Sequence, residues 1–152
     1  MKNNLTAKDK AQLISIAKTF HQESCYSDEL FDEDKFGTLL DVCSVSPDRM
    51  SVFYHKVDGV IVGGILGYVA ERYFSKETTA GDLGMFILPE YRGSRIFLRL
   101  LKEFEEWAIS RKVSKIIIGH TTKINMEKAP NFYKKLGYDL QGFIFCKENI
   151  YV

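Results

Sequence analysis

The stretch LGMFILPEYRGSRIFLRLLKEFEEWA, residues 83–108, decides the fold predicted for this chain. The apolar run 85–88 stops at Pro89, which cannot donate to a sheet ladder, so the run is predicted to end a strand. Beyond the turn residues Arg92, Gly93 and Ser94, apolar side chains recur at helical spacing. They are Ile96, Phe97, Leu100, Leu101, Phe104, Trp107 and Ala108. The stretch therefore predicts a strand, a tight turn and an amphipathic helix over about residues 94–111.

The turn between this strand and this helix carries groups that suit an anion. Backbone N–H groups at a helix start have no helical acceptor, and the helix dipole adds positive potential there. With the nearby guanidinium groups, they form the kind of site that binds a phosphate. An ordinary turn in which Gly93 only supplies the backbone conformation is the alternative, because such turns are common.

Length and composition bound the class of protein. The 152 residues are predicted to form one domain, with 45% hydrophobic and 27% charged residues. A net charge of +1 gives a nucleic-acid partner no support. The glycine-containing apolar stretch 60–70 is too short to span a membrane, and no signal peptide is visible. Three scattered cysteines, Cys25, Cys43 and Cys146, favour a reducing compartment, here the cytoplasm. The three histidines show no metal-ligand spacing with these cysteines, so no metal site is predicted.

The order of elements predicts a mixed α/β sheet with helices on both faces. Thr6 and Asp9 resemble a helix-starting capping box, and Asp58-Gly59 between two β-rich runs is a strong hairpin signal. Pro130 and Gly137 suit the start of a short helix and the residue beyond its end. Helices are predicted at about 7–24, 32–43, 94–111 and 129–136, and strands at 51–57, 60–74, 80–88, 115–119 and, with a bulge at Gly142, 138–147.

An acidic segment without any basic residue covers residues 23–34. A solvated loop, with carboxylates that favour a helix N-terminus, is the first interpretation. An acidic lip that attracts a cationic acceptor is the second. Its acidic residues are Glu23, Asp28, Glu29, Asp32, Glu33 and Asp34.

Two segments resemble the GNAT superfamily of N-acetyltransferases. LPEYRGSRIFLRLL, residues 88–101, is similar to the acyl-CoA-binding motif of that superfamily. APNFYKKLGY, residues 129–138, is similar to its second motif, in which a helix carries a tyrosine and ends in Leu-Gly-aromatic. With the preceding helices and the Asp-Gly hairpin, the resemblance covers nearly the whole chain from about residue 6. It implies a GNAT-like fold, a central mixed sheet splayed between the strands ending at Leu88 and Gly119.

The resemblance also implies a binding mode for acetyl-CoA as co-substrate in the splayed gap. Pantetheine would pair with the strand backbone at Phe86, Ile87 and Leu88. The family often has an asparagine at the start of the second motif, and Asn125 is the residue of this chain that lies nearest to that position. The diphosphate would lie on the backbone N–H groups of Arg92, Gly93, Ser94, Arg95, Ile96 and Phe97.

The motif departs from the family pattern Arg/Gln-x-x-Gly-x-Gly/Ala at two places. Arg92 holds the first position, but Arg95 and Phe97 stand where the family has its small residues. Arg95 can replace close backbone approach with a second positive charge near the diphosphate. Phe97 either points into the core or crowds the cofactor.

Catalysis by such a fold needs an acid and a base. The leaving thiolate departs more easily when protonated, and Tyr133 matches the tyrosine that the family uses as general acid. The attacking ammonium must lose a proton, and Asp82 is the first candidate for the base. Glu71 and His120 remain alternatives, the latter because it directly follows a buried strand.

The sequence therefore predicts an acyl-CoA N-acetyltransferase acting on a primary amine, either a protein lysine or N-terminus or a small amine. No metal, nucleic acid or membrane is expected to take part, and a homodimer is allowed for. The alternative is a GNAT-fold binding or interaction module that no longer catalyses, which Arg95 and Phe97 favour.

Overall fold

The computed structural model describes residues 5–122 and 124–147 and shows a four-stranded mixed sheet with helices on both faces. The strands lie in the order β1-β2-β3-β4, antiparallel except for the parallel pair β3 and β4. This confirms the predicted fold class. The helices are α1 (Ala7–Glu23), α2 (Glu33–Val45), α3 (Ile96–Ser110) and α4 (Ala129–Lys135), and the strands are β1 (Met50–Val57), β2 (Val60–Glu71), β3 (Thr78–Ile87) and β4 (Lys115–Ile117).

The hairpin between β1 and β2 forms at the predicted Asp58-Gly59 turn. Both residues have positive φ, 50° at Asp58 and 80° at Gly59. Two consecutive left-handed residues match the twist of the flanking strands, which explains why this dipeptide joins hairpins so often. The prediction is confirmed.

Helix α3 packs on one face of the sheet. Its predicted apolar stripe is confirmed, with Leu100, Leu101, Phe104 and Ala108 buried against Ile65 of β2. The ring of Phe104 occupies the space that a side chain at position 67 would need, because a Cβ on Gly67 would lie 2.6 Å from the ring. The close approach of α3 to the sheet therefore depends on glycine at that position.

Helices α1 and α2 cover the other face, where Leu13 and Leu40 pack with Ile61. The predicted cap of α1 forms, since the backbone N–H of Asp9 donates to Thr6 Oγ1 at 3.1 Å. The Asp9 carboxylate pairs with Lys56 Nζ at 2.7 Å and accepts a hydrogen bond from the Tyr54 hydroxyl at 3.1 Å. The hydrogen bond from Lys56 holds the pKa of the Asp9 carboxyl below its ordinary value, although burial acts in the opposite direction.

The predicted closing strand at 138–147 is wrong. These residues form no strand, so Gly142 is not a bulge, and Phe143, Ile144 and Phe145 are exposed. The β propensity of these side chains predicted a strand, but β4 is only three residues long and offers little edge for pairing. Leu136 and Tyr138 do pack on the α3 side of the sheet.

Within the residues that the structure describes, every helix is too short or too polar to cross a bilayer.

Candidate active site

The sheet splits between β3 and β4. The two strands pair only from Thr79–Lys115 to Gly81–Ile117. Immediately afterwards β3 carries a bulge at Leu83, since Gly67 and Leu66 of β2 oppose Asp82 and Gly84. A bulge bends its strand and increases the local twist, so β3 turns away from the chain beyond β4. We call the resulting gap, between β3 residues 82–87 and residues 118–120, the split.

Asp82 lies at the apex of the split. Its Oδ1 accepts a hydrogen bond from the backbone N–H of Gly119 at 2.7 Å. This contact joins the two strands one step beyond their last ladder pair. Burial raises the pKa of the Asp82 carboxyl, because the charged form is disfavoured there, and the hydrogen bond from Gly119 opposes the shift.

The edge of β3 that lines the split presents alternate backbone groups. The N–H of Leu88 donates to the carbonyl of Val62 in β2 at 2.9 Å. Backbone polar groups alternate sides along a strand. The N–H and C=O groups of Phe86 and Leu88 therefore point toward β2, whereas those of Met85 and Ile87 point into the split. The Ile87 carbonyl already accepts from Arg92 Nε at 3.1 Å, so the free polar groups of this edge centre on Met85.

The turn that follows β3 begins with a single 3₁₀ turn, Pro89–Tyr91, and passes through Gly93 at φ 80° before α3 begins. Within the described residues, no acceptor is recorded for the backbone N–H groups of Gly93, Arg95 and Phe97. They lie at the N-terminus of the 15-residue helix α3, where the helix dipole favours an anion. Three of the six predicted phosphate-binding N–H groups therefore lie together at one end of the split, whereas those of Arg92, Ser94 and Ile96 already donate to Pro89, Tyr91 and the Ser94 hydroxyl.

The Arg92 guanidinium does not face this turn as a free cation. Its Nη2 pairs with Glu23 Oε2 at 2.6 Å, at the end of α1. Arg95 is exposed and takes part in no ion pair among residues 5–122 and 124–147. The two arginines thus differ: one links the turn to α1, and the other is available to a ligand.

The segment after α1 continues across the mouth of the split. The N–H of Cys25 donates to the Thr121 carbonyl at 2.9 Å, and Ser24 forms an isolated bridge with Thr122. The chain is thereby fastened to the β3 side through Glu23 and to the β4 side through Cys25. Three of the six acidic residues in segment 23–34 have structural partners. Asp32 caps α2, Glu33 pairs with Lys18, and Glu23 pairs with Arg92.

Tyr133 of α4 lies among four other rings. The ring centroids are 5.4 Å away for Phe132, 6.5 Å for Phe97, and 6.1 Å for both His120 and Tyr138. Burial, with a smaller contribution from the Asp82 charge, raises the pKa of the Tyr133 phenol to about 12. Tyr133 therefore keeps its proton at neutral pH.

The other predicted residues fall in different places. His120 is exposed beside Tyr133, and its Nε2 lies 3.0 Å from the Ile124 carbonyl. Asn125 has φ 51° in the turn before α4, where its carbonyl accepts from Lys128 and Ala129. Glu71 lies opposite Thr78 in the β2–β3 ladder, at the end of β3 that is farthest from the split. The structure thus brings together Asp82, His120 and Tyr133 and leaves Glu71 apart.

Three features of the site lie outside the sequence predictions. They are the bulge at Leu83, the edge position of Met85, and the hydrogen bond from Tyr138 Oη to Glu105 Oε1 at 2.6 Å. Gly81 and Gly84, which flank the bulge, are a local signal from which an irregular strand could have been predicted. In the part of the chain that the structure describes, no group of three His, Cys, Asp or Glu side chains is placed to hold a metal ion.

Comparison with known proteins places this split sheet in a family. The model of the acetyltransferase (GNAT) family matches residues 11–138. The chain belongs to this family and is a GNAT-type acyl-CoA N-acyltransferase. No curated protein matches the sequence significantly.

Several solved structures share the fold at low identity. An aminoglycoside acetyltransferase from an uncultured soil metagenomic sample, in complex with trehalose, superposes with a TM-score of 0.70 at 19% identity, covering 97% of this chain and 91% of its own. The ribosomal-protein-alanine N-acetyltransferase of Brucella melitensis biovar Abortus 2308 gives 0.67 at 13%, covering 93% of each chain. AAC(6')-Iy in complex with the bisubstrate analogue CoA-S-monomethyl-acetylneamine gives 0.66 at 13%, covering 90% of each.

Proposed function

We propose that the protein transfers an acetyl group from acetyl-CoA to a primary amine in the split. The observation that carries this proposal is the continuity of the site. Free backbone N–H groups at the start of α3 lead along the open edge of β3 to Tyr133 and Asp82. A diphosphate, an extended amide-bearing arm and a thioester need these three environments in this order.

The reaction is a direct attack of the amine nitrogen on the thioester carbonyl carbon. Charge develops on the carbonyl oxygen, and in this proposal an N–H group of the β3 edge, at Met85 or at the Leu83 bulge, stabilises it. Collapse of the tetrahedral intermediate breaks the C–S bond, and Tyr133 gives its proton to the sulfur. The proton lost by the amine passes to the Asp82 carboxylate, directly or through a water.

The acceptor is proposed to be a protein lysine or N-terminus, or a small amine. Structures with this fold include an aminoglycoside acetyltransferase and a ribosomal-protein-alanine N-acetyltransferase, which by their names act on acceptors of both kinds. Two acidic residues of the segment after α1, Asp28 and Glu29, are exposed and take part in no ion pair among the described residues. They support a cationic acceptor through attraction at the mouth of the split.

Binding of coenzyme A tests the proposal directly. A ligand that binds only the folded state raises the free energy of unfolding by RT ln(1 + [L]/Kd), about 2.7 kcal/mol at a hundredfold excess over Kd. For a chain of this size, an upward shift in Tm of several degrees is expected with millimolar acetyl-CoA. The same assay with adenosine alone is the control. No shift, together with no thiol release from acetyl-CoA over a broad panel of amines, would contradict the proposal and favour a non-catalytic binding module.

The Asp82→Asn variant tests the proposed base. The amide oxygen can still accept from Gly119, but the group no longer takes a proton, so kcat/KM should fall by about 100-fold. Since the carboxylate is the active form and burial raises its pKa, wild-type activity should decline on the acid side at a pH above the ordinary Asp range. This decline should be absent in the variant.

Glu71→Gln is the matched control for this experiment, because it makes the same chemical change at a carboxylate away from the split. Its pH–rate profile should be that of the wild type. An Asp82→Asn enzyme with an unchanged acid limb would show that another group, such as His120, is the base.

A further inference from the structure

Phe97 connects the first turn of α3 to α4. Its ring centroid lies 5.6 Å from that of Phe132 and 6.5 Å from that of Tyr133. Its side chain is half-buried and also packs against the core beneath α3. The ring therefore links the first turn of α3, which carries the free N–H groups, to the helix that carries Tyr133.

We propose that Phe97 is a gate that limits the affinity of the split for coenzyme A. This inference rests on the proposed function, which places the diphosphate on the turn before α3 and the sulfur at Tyr133. A linear ligand that joins these two points has to pass the Phe97 ring. The acyl-CoA motif that the sequence resembles has glycine or alanine here, and neither can reach α4.

Opening the gate breaks contacts that the unliganded protein makes. Either the Phe97 side chain rotates, or α4 moves away from α3, and both lose the two ring contacts with Phe132 and Tyr133. Helix α4 is seven residues long with Ala129 as its one buried residue, so it is the more weakly held partner. Ligand binding must offset this loss, which lowers the apparent affinity by the population of the open form.

The sign of the effect distinguishes a gate from a binding residue. If Phe97 closes the passage, its removal tightens binding of coenzyme A, since the ligand no longer breaks the ring contacts. If Phe97 only forms a wall of the site, its removal weakens binding. Two aromatic contacts lead us to expect a gain of about tenfold in affinity for Phe97→Ala.

Isothermal titration with coenzyme A, in the absence of acceptor, measures this gain. Phe132→Ala removes the facing ring from α4, leaves the α3 N–H groups unchanged, and should also tighten binding. Phe97→Leu keeps apolar bulk at the gate and should bind with intermediate affinity. Phe74→Ala is the matched control, because this exposed ring lies in the connection between β2 and β3 and should leave the Kd unchanged.

The outcomes separate the gate from the proposed function. Binding by the wild type without a gain in Phe97→Ala and Phe132→Ala would overturn the gate alone. Failure of all variants to bind millimolar coenzyme A would overturn the proposed function and the gate with it. Because Phe132 is 41% exposed, its variant is expected to fold and carries the test if Phe97→Ala does not fold.

Discussion

Replacing Tyr133 with phenylalanine should lower kcat by about 100- to 1,000-fold, because the leaving thiolate then departs without a proton. The change removes one oxygen and keeps the ring among its four aromatic neighbours. Burial and the Asp82 charge raise the pKa of the phenol to about 12, so the wild-type acid stays protonated through the whole neutral range. The deficit of the variant should be constant from about pH 6 to 9 and shrink only as the pH approaches that pKa. Steady-state kinetics with acetyl-CoA and a reactive amine across this range make the measurement.

Tyr138→Phe is the matched control, since it removes a hydroxyl from the neighbouring ring. The Tyr138 hydroxyl donates to Glu105 and holds no place in the proposed proton transfers. Its kcat should stay within about threefold of the wild type, with thermal unfolding measured alongside to detect any loss of stability. If Tyr133→Phe also retains kcat within threefold, the general-acid role is wrong, and the thiolate leaves unprotonated or takes its proton from water.

The largest effect on stability is expected for Phe104→Ala. The side chain is 0% exposed and packs edge-on against Phe53 while stacking with Trp107, in a space that Gly67 leaves open. Truncation leaves a cavity beneath α3 that the rigid sheet cannot close, so the free energy of unfolding should fall by about 3–5 kcal/mol. Urea unfolding followed by circular dichroism measures this loss.

Ile109→Ala on the same helix is the control, because this side chain is 67% exposed and its truncation removes little buried surface. A change of less than about 0.5 kcal/mol is expected there. A loss below about 1.5 kcal/mol for Phe104→Ala would show that the contact between α3 and the sheet is not the main core of this fold.

The site was partly predictable because its strongest signals are local. The turn at 89–95 and the short helix around Tyr133 are each specified by neighbouring residues, through Pro89, Gly93, Pro130 and the helical spacing. The pairing of Arg92 with Glu23 was not predictable from the sequence, since it joins residues 69 positions apart. The sequence placed the Arg92 guanidinium near the phosphate, and only the tertiary structure shows that it is already paired with Glu23.

The failed closing strand has a similar cause. Phe143, Ile144 and Phe145 have the side chains of a strand, but a strand also needs a partner edge of adequate length. Whether β4 offers that edge depends on where the chain turns away after Ile117. Local propensity carries no information about this.

By itself the sequence determined the order of elements, the Asp-Gly hairpin, the apolar face of α3 and the resemblance of two motifs to one family. Each of these depends on residues a few positions apart, where periodicity and turn chemistry act directly. Only the tertiary structure decided that β3 bulges at Leu83, that Asp82 reaches Gly119 across the split, and that the Phe97 ring lies against Tyr133. These contacts join distant segments, and the packing of the whole sheet, rather than any local preference, sets the geometry of the split.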